Sequence, residues 1–271
     1  IRCVLDQTIG HPMAQNRIML EEQQRHPEFF IDSYRPFDQR ALDRQQAEVE
    51  AADLVVVGSD FCARTLVENG CDPEKVLVVN YGYDESIFPT RQPDRPPAAN
   101  RPLQCLFVGE IGPRKGIAYL LQAFMSLPPA KAELTLVGRL AIPESTFRQY
   151  STRVRHIPQV PRSEIARFFT SADCFVFPSL FEGSAIVLNE ACAAGLGIIQ
   201  TDRCGDGVRF GQNGRVLREI SVPALEETLD EVTTDRELCG RWQSASWGSR
   251  SGRSWADYRT RVFEVGWSMC G

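Results

Sequence analysis

Several kinds of protein are excluded by what this 271-residue chain lacks. It has three histidines, and its nine cysteines (3, 62, 71, 105, 174, 192, 204, 239 and 270) form no Cys-x-x-Cys pair and meet no histidine at zinc-finger spacing. A structural zinc site of the usual kind is thereby excluded. The thiols read as reduced: Cys105, Cys174 and Cys192 sit inside apolar runs, where a free cysteine behaves as a small hydrophobe, a usage that suits a cytoplasmic protein better than a secreted one. No run approaches the ~18–20 uncharged apolar residues of a membrane span, and no signal peptide is visible. Positive charge is not in excess. A net charge of -5 and a pI near 5.4 argue against nucleic-acid binding through a broad basic surface, so any anion site must rest on a local motif. What is present is a hydrophobic share of 43% and a charged share of 24%, the composition of a soluble globular chain with a core. The length corresponds to one and a half to two domains. Beginning at Ile1 without a Met, the chain reads as an excised fragment or a processed product.

From residue 103 onward, short apolar runs alternate with helix-period segments, the signature of βαβ units and a parallel sheet. The spacing predicts strands at Leu103 to Val108, Glu133 to Val137, Asp173 to Phe177 and Gly197 to Thr201. Helices are expected over Ile117 to Leu127, after a cap at Ser163, from Ala185 to Ala194 and from Ala224 to Val232. The stretch from Phe88 to Pro102 holds five prolines in fifteen residues and reads as a linker. Before it, Leu54 to Val57 and Val76 to Val79 are strand candidates, following helices at Gln39 to Ala52 and Ala63 to Asn69. Residues 1 to 88 contain too few units for a doubly wound sheet, so most of an N-terminal domain is expected to lie outside this chain.

Ligands of open parallel sheets bind beyond the carboxyl ends of the strands, and the unusual motifs fall there. The first such loop, Gly109 to Gly116, places Arg114 and Lys115 just ahead of a helix whose free N–H groups favour anions, an arrangement suited to a diphosphate. Its spacing matches neither the Walker loop nor the dinucleotide fingerprint; the plain alternative is two solvated cations. The second strand ends at Gly138-Arg139, and the fourth runs into Thr201 to Gly207. In the loop after the third strand, Glu182 and Glu190 bracket seven residues, with Gly183 opening the helix between them. By helical periodicity both carboxylates are expected on one side, able to accept from hydroxyls at two points of a sugar nucleotide. The alternative for Glu182 is an acid suited to a helix N-terminus, which leaves Glu190 unexplained.

These motifs together resemble the retaining GT-B glycosyltransferases of glycosyltransferase family 4. The resemblance runs through Val108-Gly109 with Arg114-Lys115-Gly116, Ser171-Ala172-Asp173 to Phe177-Pro178-Ser179, Glu182-Gly183 to Glu190-Ala191, Ala194-Gly195 and Ile198-Ile199. It extends to Ala52 to Ser59 and Val78 to Phe88, covering about residues 50 to 235. It implies a Rossmann-like parallel sheet with helices on both faces (residues 103–271, with a C-terminal helix crossing back), a partial N-terminal acceptor domain (1–88) and a linker (89–102). It implies that Arg114 and Lys115 neutralise the donor diphosphate, that Glu190 holds the ribose and Glu182 the transferred sugar, and that Gly109, Gly138, Gly183 and Ser184 border the donor. The donor would be a nucleoside-diphosphate sugar, a UDP- or GDP-sugar, and the acceptor a glycan or lipid-linked glycan. Location would be cytoplasmic, compatible with peripheral association at the inner membrane face, with no cofactor. No Asp-x-Asp occurs, so metal-independent stabilisation of the leaving group by the two cations is the consistent version.

The chain departs from the family where an aromatic and a second glycine are usual, having Ser184-Ala185, and where a proline is usual, having Gly197. The family's N-terminal Gly-rich loop does not occur in it. His11 is a further candidate near the donor sugar, with an exposed loop histidine as its alternative; His26 reads as surface and His156 as structural, near the end of a strand over Arg155 to Val160. Trp242, Trp247, Trp255 and Trp267 suggest a helical tail that packs. Two other functions stay open, a non-catalytic nucleotide-sugar-binding domain and a GT-B sugar-nucleotide epimerase.

Overall fold

The computed structural model describes residues 3–88, 101–209 and 211–270. The front portion holds a parallel sheet of three strands in spatial order, β1 (Val4–Gln7), β2 (Leu54–Val57) and β3 (Val76–Val78). Between them run the helices α1 (Pro12–Arg25), α2 (Gln39–Ala51) and α3 (Asp60–Val67). The rear portion is a six-stranded sheet of β4 (Leu103–Val108), β5 (Ala132–Val137), β6 (Val154–Ile157), β7 (Cys174–Phe177), β8 (Gly197–Thr201) and β9 (Gly214–Leu217). Its helices are α4 (Ile117–Ser126), α5 (Glu144–Arg148), α6 (Ile165–Ser171), α7 (Ile186–Ala193), α8 (Val222–Thr234), α9 (Arg236–Gly248) and α10 (Trp255–Cys270). All pairings are parallel, in the order β6-β5-β4-β7-β8-β9. The strand order turns back on itself between β4 and β7, and since βαβ crossovers are right-handed as a rule, helices on either side of that point fall on opposite faces of the sheet. The expected α/β class with a Rossmann-like parallel sheet is what the structure has.

The central strands are continuous apolar runs because both sheet faces are covered. Every residue of β7 and β8 is buried, and Phe177 stacks on Phe107 and Phe175 with centroids 5.6 and 5.7 Å apart. Two further strands, β6 and β9, complete the rear sheet; β6 lies at the start of the strand expected over Arg155 to Val160, and β9 is not among those expected. Both are edges four residues long that carry exposed arginines, Arg155 and Arg215, so neither shows the apolar run that marks a central strand. Asp173 precedes β7 instead of opening it. Its buried carboxylate receives Arg101 bidentately at 2.6 and 2.7 Å and the Gln104 amide at 2.9 Å. Ser163 is not a cap; it sits in a 3-10 turn, Arg162–Glu164, that leads into α6. Of the Pro-rich stretch, residues 89–100 lie outside the described residues.

Front and rear portions are in direct contact. Arg64 pairs with Asp202 at 3.1 Å, Asn80 donates to Asp206 at 2.7 Å, Asn189 donates to the Tyr81 carbonyl at 2.8 Å, and Phe61 meets Phe181 edge-on at 5.4 Å. Helix α10 packs Trp255 and Tyr258 on Tyr81, with centroids 6.1 and 5.6 Å apart. His26, expected at the surface, is half-buried and lies edge-on to Tyr119 at 5.0 Å, because the end of α1 is pressed against α4.

The same seam buries Glu22, which is 2% exposed. The Tyr119 hydroxyl donates to its Oε2 at 2.9 Å, and its Oε1 has no hydrogen-bond partner. Burial pushes the carboxyl up to about 7, with Tyr119, Arg25 and Arg203 pulling down and Glu28 pushing up. An unfolded Glu releases its proton near 4.5, so between there and about 7 only the folded state keeps it, and stability falls as pH rises through that window. Glu22→Gln carries no charge at any pH. The variant is expected to melt above the parent at about pH 8, by an amount that narrows on lowering to about pH 5; circular-dichroism melts that show a pH-independent gap would refute the assignment.

Candidate functional site

At the carboxyl ends of β4 and β7, the two loops are tied together. The turn Pro113–Lys115 follows β4, and the Arg114 carbonyl accepts from the Leu180 amide at 2.9 Å. Glu182 Oε1 then gathers three donors: the Ser179 hydroxyl at 2.6 Å, Arg114 Nη1 at 3.1 Å, and Lys115 Nζ. Arg114 also donates to the Phe181 carbonyl at 2.7 Å, while the Lys115 ammonium stands 5.1 Å from the centroid of the Phe177 ring. Two cations thus share one carboxylate in a mostly buried setting, which leaves a net positive charge where the turn meets α4. Charge-assisted bonds of this kind hold geometry better than neutral ones.

Gly109 and Gly138, at the ends of β4 and β5, lie against each other: a Cβ on residue 138 would fall 1.8 Å from the Gly109 carbonyl oxygen. His156 Nε2 lies 2.9 Å from the Gly138 carbonyl and the ring packs edge-on to Phe147, a structural role. The loop after β8 joins the same rim through Thr201, whose hydroxyl donates to the Ser179 carbonyl at 2.5 Å, and through the Cys204 carbonyl, which accepts from the Ala185 amide at 2.9 Å. Burial pushes the Cys204 thiol up to about 12, so it is a packing group.

The front portion reaches this rim at Gly183. The Thr8 carbonyl oxygen occupies the place where a Cβ on residue 183 would be, 1.8 Å from it, and Ser59 Oγ donates to the Gly183 carbonyl. Ser184 sits between Gly58 and Gly205. Gly10 faces the Phe181 ring, and the next residue, His11, caps α1: its Nδ1 accepts from the Met13 amide at 3.2 Å and its backbone amide donates to Thr65 Oγ1 at 2.9 Å. The His11 ring is buried, its Nε2 is unpartnered, and burial lowers its pKa. It is therefore no exposed loop histidine.

Arg114, Lys115, Glu182 and Gly183 are thus brought together, whereas Glu190 has a different charge partner. Its carboxylate is fully buried and ion-paired with Arg162 from the turn before α6. Burial raises its pKa, Arg162 pulls it down and Asp84 pushes it further up. Helix α7 is buried over Leu188, Asn189, Glu190, Ala191, Cys192 and Ala193, so periodicity could not select a solvent-facing side for it. Sequence reasoning missed Arg162, which sits in a short 3-10 turn after β6 with no motif around it. It also missed Arg253, a 3% exposed side chain that donates to Asn189 Oδ1 at 2.9 Å and to the Asp206 carbonyl at 2.6 Å. Among the described residues no cluster of His, Cys, Asp or Glu suits a metal ion, and no helix is long and apolar enough to cross a membrane.

The family model described as Glycosyl transferases group 1 matches residues 89–246. A D-inositol 3-phosphate glycosyltransferase of Paenarthrobacter aurescens is 29% identical over 256 residues, covering 84% of this chain and 62% of that protein. The enzyme of the same name from Mycobacterium bovis is 29% identical over 212 residues, 71% of this chain and 43% of its own length. The chain thus spans between two-fifths and two-thirds of the curated relatives it matches. Among solved structures, sucrose-phosphate synthase from Thermosynechococcus elongatus superposes with a TM-score of 0.77 at 19% identity, over 98% of this chain and 67% of that one. Anabaena HepE in complex with UDP gives 0.71 at 18%, over 89% and 71%. Both are GT-B structures, and at such identities they bear on the fold alone.

The Thr8–Gly183 contact has a measurable consequence. Gly183→Ala is expected to destabilise the chain by ~1–3 kcal/mol, since two backbones must separate. Gly240→Ala, inside α9 where a Cβ meets nothing within 4 Å, is expected to stabilise by up to ~1 kcal/mol. Urea titrations of the two variants giving equal and similar midpoints would overturn the close approach.

Proposed function

Because this chain belongs to the group 1 glycosyl transferases, we propose that it is the donor-binding part of a glycosyltransferase, moving a sugar from a nucleoside-diphosphate sugar to a glycan or lipid-linked acceptor with retention at the anomeric carbon. The observation that carries this reading is the convergence of Arg114, Lys115 and Ser179 on Glu182 at the point where the strand order reverses. In such a transfer the sugar becomes cationic as the nucleotide diphosphate departs. Cations held in place before the reaction stabilise the departing charge without reorganising. Arg114 and Lys115 take that role and Glu182 meets the transferred sugar, beside Gly183 and Ser184. Glu190, a fully buried carboxylate paired with Arg162, takes the ribose hydroxyls. Gly109 and Gly138 border the donor, and His11 approaches the sugar from the front portion.

We assign residues 1–88 to part of the acceptor domain, 89–102 to a linker and 103–271 to the donor domain, with α10 returning to the front. A UDP- or GDP-sugar is the donor we favour. A cytoplasmic setting agrees with the eight free cysteines among the described residues, and a lipid-linked acceptor would bring the enzyme to a membrane surface.

A thermal-shift panel of UDP, GDP and ADP tests the nucleotide site, because a ligand bound only by the folded state raises the melting temperature. A positive hit is expected to weaken by ~10–100-fold in both Arg114→Ala and Glu190→Ala, the loss of about 1.5–3 kcal/mol for hydrogen bonds to charged groups. Unchanged shifts in both variants would sink the assignment. Incorporation of labelled sugar into glycan by an extended chain separates transfer from binding alone.

A further inference from the structure

We infer that the groove between α1 and the loops following β8 and β9 is a carbohydrate-binding subsite, separate from the donor residues, that takes a neutral sugar unit of the acceptor. Its assignment to the acceptor rests on the transferase reading; carbohydrate binding at the groove does not.

Two hollows of about 270 and 370 Å³ adjoin each other, sharing Ile18, Glu21 and Arg203 as common walls. The inner one is lined by the apolar Ile18, Leu180 and Ile220 together with Glu22 and Tyr119. Leu180 is bonded through its amide to Arg114, so the inner end abuts the loops that hold Glu182. At ~30 Å³ per water, the inner hollow offers space for on the order of nine waters, comparable to a single sugar ring.

The chemistry of the walls selects the ligand. Glu22 lines this hollow and its buried Oε1 has no hydrogen-bond partner, and a buried acceptor left so calls for a donor. Tyr119 cannot supply it, since its hydroxyl is committed to Oε2. Farther along, Arg17, Arg218 and Glu68 line the outer hollow with the Arg64–Asp202 pair, while Arg25, Arg203, Glu21 and Glu219 line the inner one. Guanidinium groups only donate and carboxylates only accept. Basic and acidic side chains are near balance, which disfavours a polyanion or an anionic lipid surface held by net charge. Vicinal hydroxyls, each both donor and acceptor, match such a wall along its length.

The test is a microarray of neutral mono- to tetrasaccharides probed with the fluorescently labelled 271-residue chain, its Glu22→Gln variant and its Arg203→Ala variant. Gln at 22 keeps the shape and converts the orphan acceptor into a donor or a weaker acceptor. Arg203 lies on a loop with its side chain one-third exposed, so its loss does not threaten folding. The parent is expected to retain at least one neutral glycan, with binding about tenfold weaker in each variant, the loss of roughly one hydrogen bond in binding. No retained neutral glycan, retention of anionic glycans alone, or equal retention by all three proteins would overturn the subsite. UDP thermal shifts on the same preparations keep the two readings distinct. Nucleotide bound without glycan removes only the subsite, whereas variant-sensitive glycan binding with no nucleotide response removes the transferase reading and leaves the subsite standing.

Discussion

One oxygen of Glu182 receives an ammonium, a guanidinium and a hydroxyl, and the ends of two strands are fixed by that convergence. Arg114 and Lys115 come from the turn after β4, Ser179 and Glu182 from the loop after β7. Without the carboxylate, two cations would face each other in a mostly buried space, an arrangement whose desolvation and repulsion would open the loops. With it, the excess charge is one, held in place and directed to the strand ends. The backbone reinforces the tie through the Leu180 amide and the Thr201 hydroxyl. The rim is therefore rigid before any ligand arrives, which is the condition for electrostatic stabilisation of a departing anion.

The front portion depends on that rim. Its closest approach is backbone on backbone, Thr8 against Gly183, and a residue with a side chain at 183 would hold the two apart. Around this point the seam is polar and specific: Asn80 with Asp206, Arg64 with Asp202, Asn189 with the Tyr81 carbonyl. Arg253 ties α7 and the loop after β8 to the turn before α10, whose aromatic residues cover Tyr81. The seam also carries apolar packing, with Phe61 on Phe181 and Phe88 on Phe169 in one core cluster. Glu22 gives it a group whose protonation differs between folded and unfolded states near neutral pH.

The strand–helix alternation, the class of fold, the four central strands and the motifs at their ends were legible in the amino-acid order. Buried parallel strands need uninterrupted apolar residues, and turns at their ends need glycine and charge, so composition reveals both. Arg114, Lys115 and Glu182 could be grouped because strand ends in such sheets lie on one edge. The edge strand β9, with GRVL, escaped because one side faces solvent and the apolar run is broken. Helix α1 escaped because its buried side is narrow and shared with another portion of the chain. What the tertiary structure alone decided is which partner each buried charge received: Arg162 for Glu190, Arg101 for Asp173, Tyr119 for Glu22. Those pairings join residues 28 to 97 positions apart, and only close packing can choose them.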